Sequence, residues 1–276
     1  MIGYIAYLGH AFEHVRMPLS TVGASGEIDP VFVAATVAYA AVFATLHLSF
    51  TSIMRAVCPV WYKSLPPKKK AELPSYAIGL VHHWALSPYC LWRLVADYGM
   101  YQHGVAFPSN HYDTLFCNYG LYPLTMGFFL VDTLFYAVPE AAKGAPLYLL
   151  HHFVALSTHY SALSRVRGVL MMMFPVMMCT EISSLFFNTA WIMRAGGLRN
   201  TLVTTLEALF ALSFLFIRIL YVSTVMWVFW PHMGHFGYYR VGLALGLGMQ
   251  YYWLYKIAAS LTKRSIVEPK PTKQLQ

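Results

Sequence analysis

Long runs of apolar residues, separated by polar, proline-containing or glycine-containing sequence, divide most of the chain into seven segments. These segments cover residues 30–56, 74–96, 118–138, 146–164, 168–193, 200–230 and 237–261. A helix needs about 20 residues to cross the hydrocarbon core of a bilayer, so the pattern predicts seven transmembrane helices. Helix-breaking residues support the boundaries: Pro66-Pro67 and Pro74 before the second segment, and Gly196-Gly197 before the sixth.

The two ends of the chain follow a different pattern. In residues 1–29 apolar side chains recur every three or four positions, which predicts a short amphipathic helix on the membrane surface or against the bundle. Residues 262–276 are basic and contain proline, so we expect a mobile tail. The predicted organisation is therefore an interfacial segment (1–29), a transmembrane domain (30–261) and a basic tail (262–276).

Composition also indicates a polytopic membrane protein. Hydrophobic residues make up 58% of the chain and charged residues 11%, whereas a soluble domain carries about 25% charged residues. The sequence lacks the interleaved aromatic and basic positions of a nucleic-acid-binding surface. Its four cysteines lack the paired spacing of a zinc site or a disulfide framework. We therefore expect no metal, no bound cofactor and no nucleic-acid partner.

Basic residues predict the orientation in the membrane. They cluster at three places, namely Lys63 with Lys68–Lys70, Arg194 with Arg199, and the tail from Lys263. Seven spans put all three clusters on one side, which the positive-inside rule makes the cytoplasmic or matrix side. Arg165 and Arg167 fall on the opposite side and are exceptions to the rule.

The apolar segments also contain polar and ionisable side chains that hydrocarbon cannot hydrate. They are His82, His83, Asp132, His151, His152, His159, Glu181, Asn188, Glu207 and Arg218. Such groups cost several kcal/mol, roughly, unless they are paired or hydrated, and they mark candidate functional sites. With about 1.5 Å of rise per residue, most lie at a similar depth near the positive side, and Glu181 lies deeper. Their similar depth predicts that several helices turn polar faces toward one interior site.

Helical periodicity indicates which of these groups share a face. His152 and His159 are seven residues apart, and Glu181, Ser184 and Asn188 follow the spacing of one helical stripe.

The sixth segment contains a second pair with helical spacing. Glu207 and Arg218 are eleven residues apart, which also predicts a shared face. The deep Arg218 requires a partner, and Glu181 is the carboxylate closest to it in depth. We expect an internal Glu181–Arg218 ion pair with a structural role.

Several short motifs follow one another in the order seen in a known family. They are Gly127-Phe-Phe-Leu-Val-Asp132, His151-His152, Thr180-Glu-Ile-Ser-Ser184, Asn188-Thr-Ala-Trp191, Phe214-Leu-Phe-Ile-Arg-Ile219 and Trp253-Leu-Tyr-Lys-Ile257. This ordered set resembles the TLC-domain family, the membrane domain shared by ceramide synthases and several other lipid-related proteins. The resemblance covers about residues 30 to 261. It implies an all-α polytopic fold with six of the seven helices around a central, lipid-accessible cavity.

The resemblance also bears on chemistry. If the ceramide synthase mechanism carried over, His151 or His152 would act as a general base, Asp132 would fix its tautomer, and acyl-CoA would be the co-substrate. Ceramide synthases carry an aspartate-rich segment after the histidine pair, and this chain does not. The Glu-x-Ser form at Glu181–Ser183 instead resembles the branch of the family without an assigned enzyme activity.

Three classes of function remain at the level of sequence. The first is a protein that binds or senses a phospholipid or sphingolipid in the cavity and influences membrane lipid composition. The second is an N-acyltransferase that uses His151, His152 and Asp132. The third is a non-catalytic scaffold or accessory subunit of a larger membrane complex, for example a mitochondrial one, that retains the fold and bound lipid. Membrane-protein partners and a homo-oligomer are both compatible with the sequence. The resemblance implies the endoplasmic reticulum, with the mitochondrial inner membrane as the alternative.

Overall fold

The computed structural model describes residues 30–102, 117–159, 177–230 and 237–266. Every regular element in these ranges is helical, as the sequence predicts. The predicted interfacial helix in residues 1–29 and the tail from residue 267 onward lie outside the described residues.

Ten α-helices and three π-helical segments make up the described part of the chain. The α-helices are α1 Pro30–Val57, α2 Pro59–Ser64, α3 Pro67–Gln102, α4 Tyr122–Asp132, α5 Val138–Ala142, α6 Pro146–His159, α7 Glu181–Ala195, α8 Thr201–Ser213, α9 Val222–Phe229 and α10 Gly237–Ile266. The π-helical segments are Cys117–Leu121, Thr133–Ala137 and Phe214–Tyr221. The second joins α4 to α5, and the third, called the π segment below, joins α8 to α9.

Three helices in the described ranges are both long enough and apolar enough to cross a membrane: Pro30–Val57, Tyr119–Ala142 and Thr201–Trp227. They coincide with three of the predicted spans, so the chain is an integral membrane protein. Helices α3 and α10 are longer still, at 36 and 30 residues, but they do not reach the same apolarity. The predicted total of seven spans stays a prediction.

Of the two predicted breaks before the second span, the one at Pro66-Pro67 is confirmed and the one at Pro74 is wrong. Helix α3 begins at Pro67 and contains both Pro74 and Pro88 in its interior. A proline inside a helix removes one backbone hydrogen bond and bends the chain, a cost that packing against neighbouring helices offsets. The predicted break at Gly196-Gly197 is confirmed, since α7 ends at Ala195 and Gly197 adopts a φ of 85°, which favours glycine.

The bundle is held together by close helix packing. Helices α1 and α4 approach so closely at Gly127 that a Cβ atom there would lie 2.7 Å from the backbone nitrogen of Ala40. Beside this crossing, Phe43 meets Phe128 edge-on at 5.6 Å between ring centroids. Helix α7 packs against α3 and α8, and α6 packs against α10. These contacts leave an internal space between α3, α4, α6, α7, α8 and α10.

Candidate functional site

The internal space between these helices is a chamber of about 310 Å³, with walls that are mostly apolar and aromatic. Three layers of polar side chains cross it. The deepest layer, farthest from Lys69 and Arg194, contains Glu181 and Arg218. The middle layer contains Asp132 and the His151-His152 pair, and the outer layer is formed by tyrosines.

In the deep layer, the Glu181 carboxylate lies between a histidine and an arginine side chain. His83 Nδ1 lies 3.0 Å from Glu181 Oε2, and the other oxygen of the carboxylate, Oε1, lies 3.7 Å from Arg218 Nη2. All three side chains are buried. A buried carboxylate requires this kind of compensation, because desolvation of an unpaired charge costs several kcal/mol, roughly. The structure thus places Glu181 beside Arg218, as the sequence predicts.

Arg218 also forms hydrogen bonds that connect three helical elements. Its Nε donates to Ser183 Oγ at 2.6 Å and to the carbonyl oxygen of Thr180 at 3.1 Å. Its Nη2 donates to Ser184 Oγ at 2.6 Å, and its Nη1 lies 3.5 Å from Gln250 Oε1. The guanidinium therefore links the π segment to the start of α7 and to α10. Because the protein itself supplies these acceptors, Arg218 is suited to stabilising the helix bundle rather than to binding a ligand.

The middle layer centres on a histidine with a partner at each ring nitrogen. His152 Nε2 lies 3.3 Å from Asp132 Oδ2, and Nδ1 lies 2.9 Å from Thr133 Oγ1. Thr133 Oγ1 in turn donates to the carbonyl oxygen of Phe129 at 2.5 Å. The imidazole of His152 is thereby fixed in orientation between α4 and α6.

His151 differs from its neighbour because aromatic rings, rather than hydrogen-bonding groups, surround it. Its ring meets Trp253 edge-on at 5.3 Å and Phe129 edge-on at 6.1 Å between centroids. It is only partly buried and lines the chamber. Among the described residues, His151 is therefore the member of the pair that lines the chamber with no recorded hydrogen bond at its ring nitrogens.

The other histidine pair is divided between two environments. His83 lines the chamber, whereas His82 is fully buried against α4, with Nε2 3.2 Å from Thr125 Oγ1. Its ring stacks on Phe128 with 4.2 Å between centroids. The sequence places both residues at one cavity, but adjacent positions on a helix point about 100° apart, and only His83 faces the space.

The outer layer consists of aromatic residues that sequence reasoning missed. The hydroxyl groups of Tyr76 and Tyr136 lie 3.5 Å apart, and Tyr136 meets Tyr148 edge-on at 5.3 Å. Tyr76 also stacks on Trp191 at 3.8 Å, and Lys69 Nζ lies 4.2 Å above the same indole ring. Scattered single tyrosines have no pattern in the sequence, and only the fold brings their hydroxyl groups together.

Asn188 sits between the outer and deep layers, as its place on the stripe with Glu181 and Ser184 predicts. Its Nδ2 donates to the carbonyl oxygen of Tyr76 over 3.5 Å. A Cβ atom at Gly79 would lie 2.8 Å from the same amide nitrogen, so α3 approaches α7 closely at this point. The amide thus belongs both to the chamber wall and to the α3–α7 contact.

The predicted shared face of Glu207 and Arg218 is wrong. Glu207 contacts Arg194 in an ion pair between α8 and α7 and lines a second cavity, not the chamber. The cause is the π segment, which begins at Phe214, after Glu207, and includes Arg218. Its wider turns rotate Arg218 away from the face that eleven residues of regular α-helix would give it.

The last two predicted features concern His159 and the absence of a metal site. His159 is the last residue of α6, and its side chain lies outside the described part of the structure. Within the described ranges, no three histidine, cysteine or carboxylate side chains converge in a way that could hold a metal ion.

Comparison with known proteins gives one finding about the whole region. A protein family described as the TLC domain matches residues 73–259. The match begins in α3, ends in α10 and so includes every residue that lines the chamber. Comparisons with curated proteins and with solved structures returned no significant match. Since the matched region exceeds half of the 276 residues, the chain belongs to the TLC-domain family.

Proposed function

We propose that this membrane protein binds or senses lipid in the chamber and thereby influences the lipid composition of its membrane. The TLC domain places the chain among lipid-related membrane proteins. The observation that carries the finer proposal is a partly buried His151 between aromatic walls, next to Asp132 and His152, inside a chamber of about 310 Å³. Ligand pockets of about 300–1,000 Å³ are typically apolar with a few placed polar groups.

The chemistry of the layers supports a lipid over a small polar solute. Phe128, Phe129, Phe187, Phe210 and Phe214 form much of the wall, and such rings contact hydrocarbon favourably. Glu181 and Arg218 are already paired with each other, which leaves His151, Lys256 and the tyrosine hydroxyl groups to contact a polar part of the ligand. An amphiphile matches this division between apolar walls and a restricted polar layer.

Mass spectrometry of the purified protein tests this proposal. We expect lipid to co-purify with the wild type and to be lost, wholly or mostly, from the His151→Ala/His152→Ala variant, although the variant still unfolds cooperatively. The matched control is His82→Ala, which removes a histidine outside the chamber. Equal lipid content in the wild type and in the double variant would contradict the proposal. A double variant that loses its fold and nothing else would indicate that the pair is structural, as expected for a scaffold subunit.

An N-acyltransferase activity is the second candidate, and the 3.3 Å contact between His152 and Asp132 favours it. A histidine oriented by a carboxylate is a typical general base. In such a reaction the base would take a proton from an amine as the amine nitrogen attacks the acyl-CoA thioester and coenzyme A leaves. Incubation with a long-chain base and acyl-CoA distinguishes the candidates: amide formed by the wild type and not by Asp132→Asn would establish the enzyme. Lipid binding without any turnover would establish the first proposal.

The membrane arrangement proposed with this function has seven spans and a lipid-accessible chamber. Lys63, Lys68–Lys70, Arg194 and Arg199 would then lie on the cytoplasmic or matrix side, following the positive-inside rule. We propose the endoplasmic reticulum as the location and membrane lipids as the partners. Labelling of single cysteines at Lys63 and Arg199 in sealed microsomes tests the sidedness, because both positions should react from the same side.

A further inference from the structure

A second cavity of about 320 Å³ adjoins the chamber and lies between α7, α8 and α10. The two spaces share four wall residues, namely Phe187, Phe210, Lys256 and Ile257. The wall also includes Ser260 on α10, and both Lys256 and Ser260 are exposed. The second cavity, called the opening below, therefore reaches the surface of the bundle and borders the chamber at these shared residues.

Helix packing explains why the opening exists at this place. Among the described residues, α10 makes its main contacts with α6 and with the π segment, whereas α8 packs mainly against α7. The end of α10 near Lys256 thus makes few contacts with α8, which leaves a gap between the two helices. Small or apolar side chains, such as Ala211 on α8 and Ala190 on α7, line it. An apolar gap between helices is a surface along which a hydrocarbon chain can slide from the bilayer.

The charge at the junction of the two spaces is positive. Lys256 is the cationic side chain that lines both of them, and no carboxylate among the described residues lies within ion-pair distance of its ammonium group. Its nearest recorded partner is the ring of Tyr252, 5.3 Å from Nζ to the centroid. Arg194 lines the opening too and is paired with Glu207, yet its buried Nε has no hydrogen-bond acceptor within the described ranges. The lining therefore has one uncompensated positive charge and a spare donor.

We infer that this junction binds the anionic headgroup, a phosphate or a carboxylate, of a lipid that enters sideways between α8 and α10 and places its chain along the aromatic walls. This inference rests on the proposed lipid-binding function and adds the ligand class and the route. Lys256 is the residue that distinguishes an anionic headgroup from a zwitterionic one. A charge-assisted hydrogen bond in a partly desolvated site is worth about tenfold in affinity or more.

Native mass spectrometry titrations of the full chain in a neutral detergent test the ligand class. The probes are lysophosphatidic acid, lysophosphatidylcholine with the same acyl chain, and glycerol 3-phosphate. We expect the wild type and Lys256→Arg to bind lysophosphatidic acid about tenfold more tightly than lysophosphatidylcholine, and Lys256→Gln to bind the two within about threefold. Lys63→Gln is the matched control, because it removes an exposed lysine of the same basic side that lines neither cavity.

Each alternative outcome of these titrations has a separate meaning. If the wild type binds both lipids equally, or if Lys256→Gln keeps the preference, the headgroup site is wrong while lipid binding stands. If glycerol 3-phosphate competes as well as lysophosphatidic acid, the site takes a free anion and the lipid assignment is wrong. If the wild type binds neither lipid, both this inference and the proposed function are wrong.

The route is tested by narrowing the opening. Ala211→Trp places a large ring in the gap, whereas Ala208→Trp places the same ring on an exposed position of α8 that lines neither cavity. We expect Ala211→Trp to weaken binding of both lipids at least tenfold, and Ala208→Trp to bind like the wild type. Unchanged binding by Ala211→Trp, in a variant with wild-type thermal stability, would overturn the sideways route.

Discussion

Thr133 Oγ1 lies 2.9 Å from His152 Nδ1, a contact that bears on which ring nitrogen of His152 carries a proton. The threonine hydroxyl has a single proton, which it donates to the carbonyl oxygen of Phe129 at 2.5 Å. When its proton is given to Phe129, the hydroxyl can only accept from His152, an arrangement that favours protonation at Nδ1. The opposite nitrogen, Nε2, faces Asp132 Oδ2 at 3.3 Å. Protonation of either His152 Nε2 or Asp132 Oδ2 then turns this contact into a hydrogen bond.

The first prediction concerns this protonation state. Thr133→Val keeps the shape of the side chain and removes the acceptor at Nδ1. We expect His152 to change to the form protonated at Nε2 only, which donates to Asp132. Nitrogen-15 NMR of histidine-labelled protein distinguishes the two forms, and the signals of His152 are those lost in His152→Gln.

Thr189→Val is the matched control for this experiment. The hydroxyl of Thr189 donates to the carbonyl oxygen of Leu185 at 2.8 Å within its own helix, as Thr133 does to Phe129, but it has no histidine partner. The NMR signals of His152 should be those of the wild type in this variant. Identical His152 signals in Thr133→Val and the wild type would show that the hydroxyl does not set the tautomer.

The second prediction concerns the buried Arg218. Arg218→Met should lower the free energy of unfolding by about 3–5 kcal/mol, because it removes the arginine partner of the buried Glu181 carboxylate and leaves only His83 beside it. Glu181→Gln/Arg218→Met should be less destabilised than the single variant, since the buried negative charge is removed as well. Denaturant titration in detergent micelles gives both values. A double variant at least as unstable as Arg218→Met would mean that hydrogen bonds to the serines, not the charge pair, account for the loss.

Physical constraints of the bilayer explain what the sequence can predict about the site. An ionisable group inside hydrocarbon must find a partner, so depth alone indicates that Glu181 meets Arg218. The same argument brings Asp132 to His152, because both lie at a similar distance from the positive side. Such predictions need only the rise per residue of a helix, which varies little.

Other parts of the site depend on rotation about the helix axis, which the sequence does not fix. The π segment changes the direction in which Arg218 points, and no composition signal marks where a π-helical turn forms. Likewise, the difference between His82 and His83 depends on how α3 is turned toward α4. In the sequence, Lys256 is a single lysine near the end of an apolar segment. Only the packing of the helices shows that it lines two cavities.

The third prediction tests the closest helix crossing. A Cβ atom at Gly127 would lie 2.7 Å from the nitrogen of Ala40 and 3.0 Å from the carbonyl oxygen of Thr36, both backbone atoms that cannot move aside singly. Gly127→Ala should therefore push α1 from α4 and lower the free energy of unfolding by about 1–3 kcal/mol. The control is Gly248→Ala on α10, where nothing lies within 4 Å. That variant should be neutral or stabilised by up to about 1 kcal/mol, since alanine favours helix more than glycine.

The fourth prediction contrasts the Arg194–Glu207 ion pair with the Arg218–Glu181 pair. The side chains of Arg194 and Glu207 are 33% and 28% exposed, whereas Arg218 and Glu181 are each 7% exposed. Water and ions screen the more exposed pair, so Glu207→Gln should change the free energy of unfolding by less than about 1 kcal/mol. The measurement is the same denaturant titration, with Arg218→Met as the comparison. If Glu207→Gln destabilises the protein as much as Arg218→Met does, the Arg194–Glu207 pair must be shielded from water as well as the deep layer is. In that case the second cavity is not open to the surface.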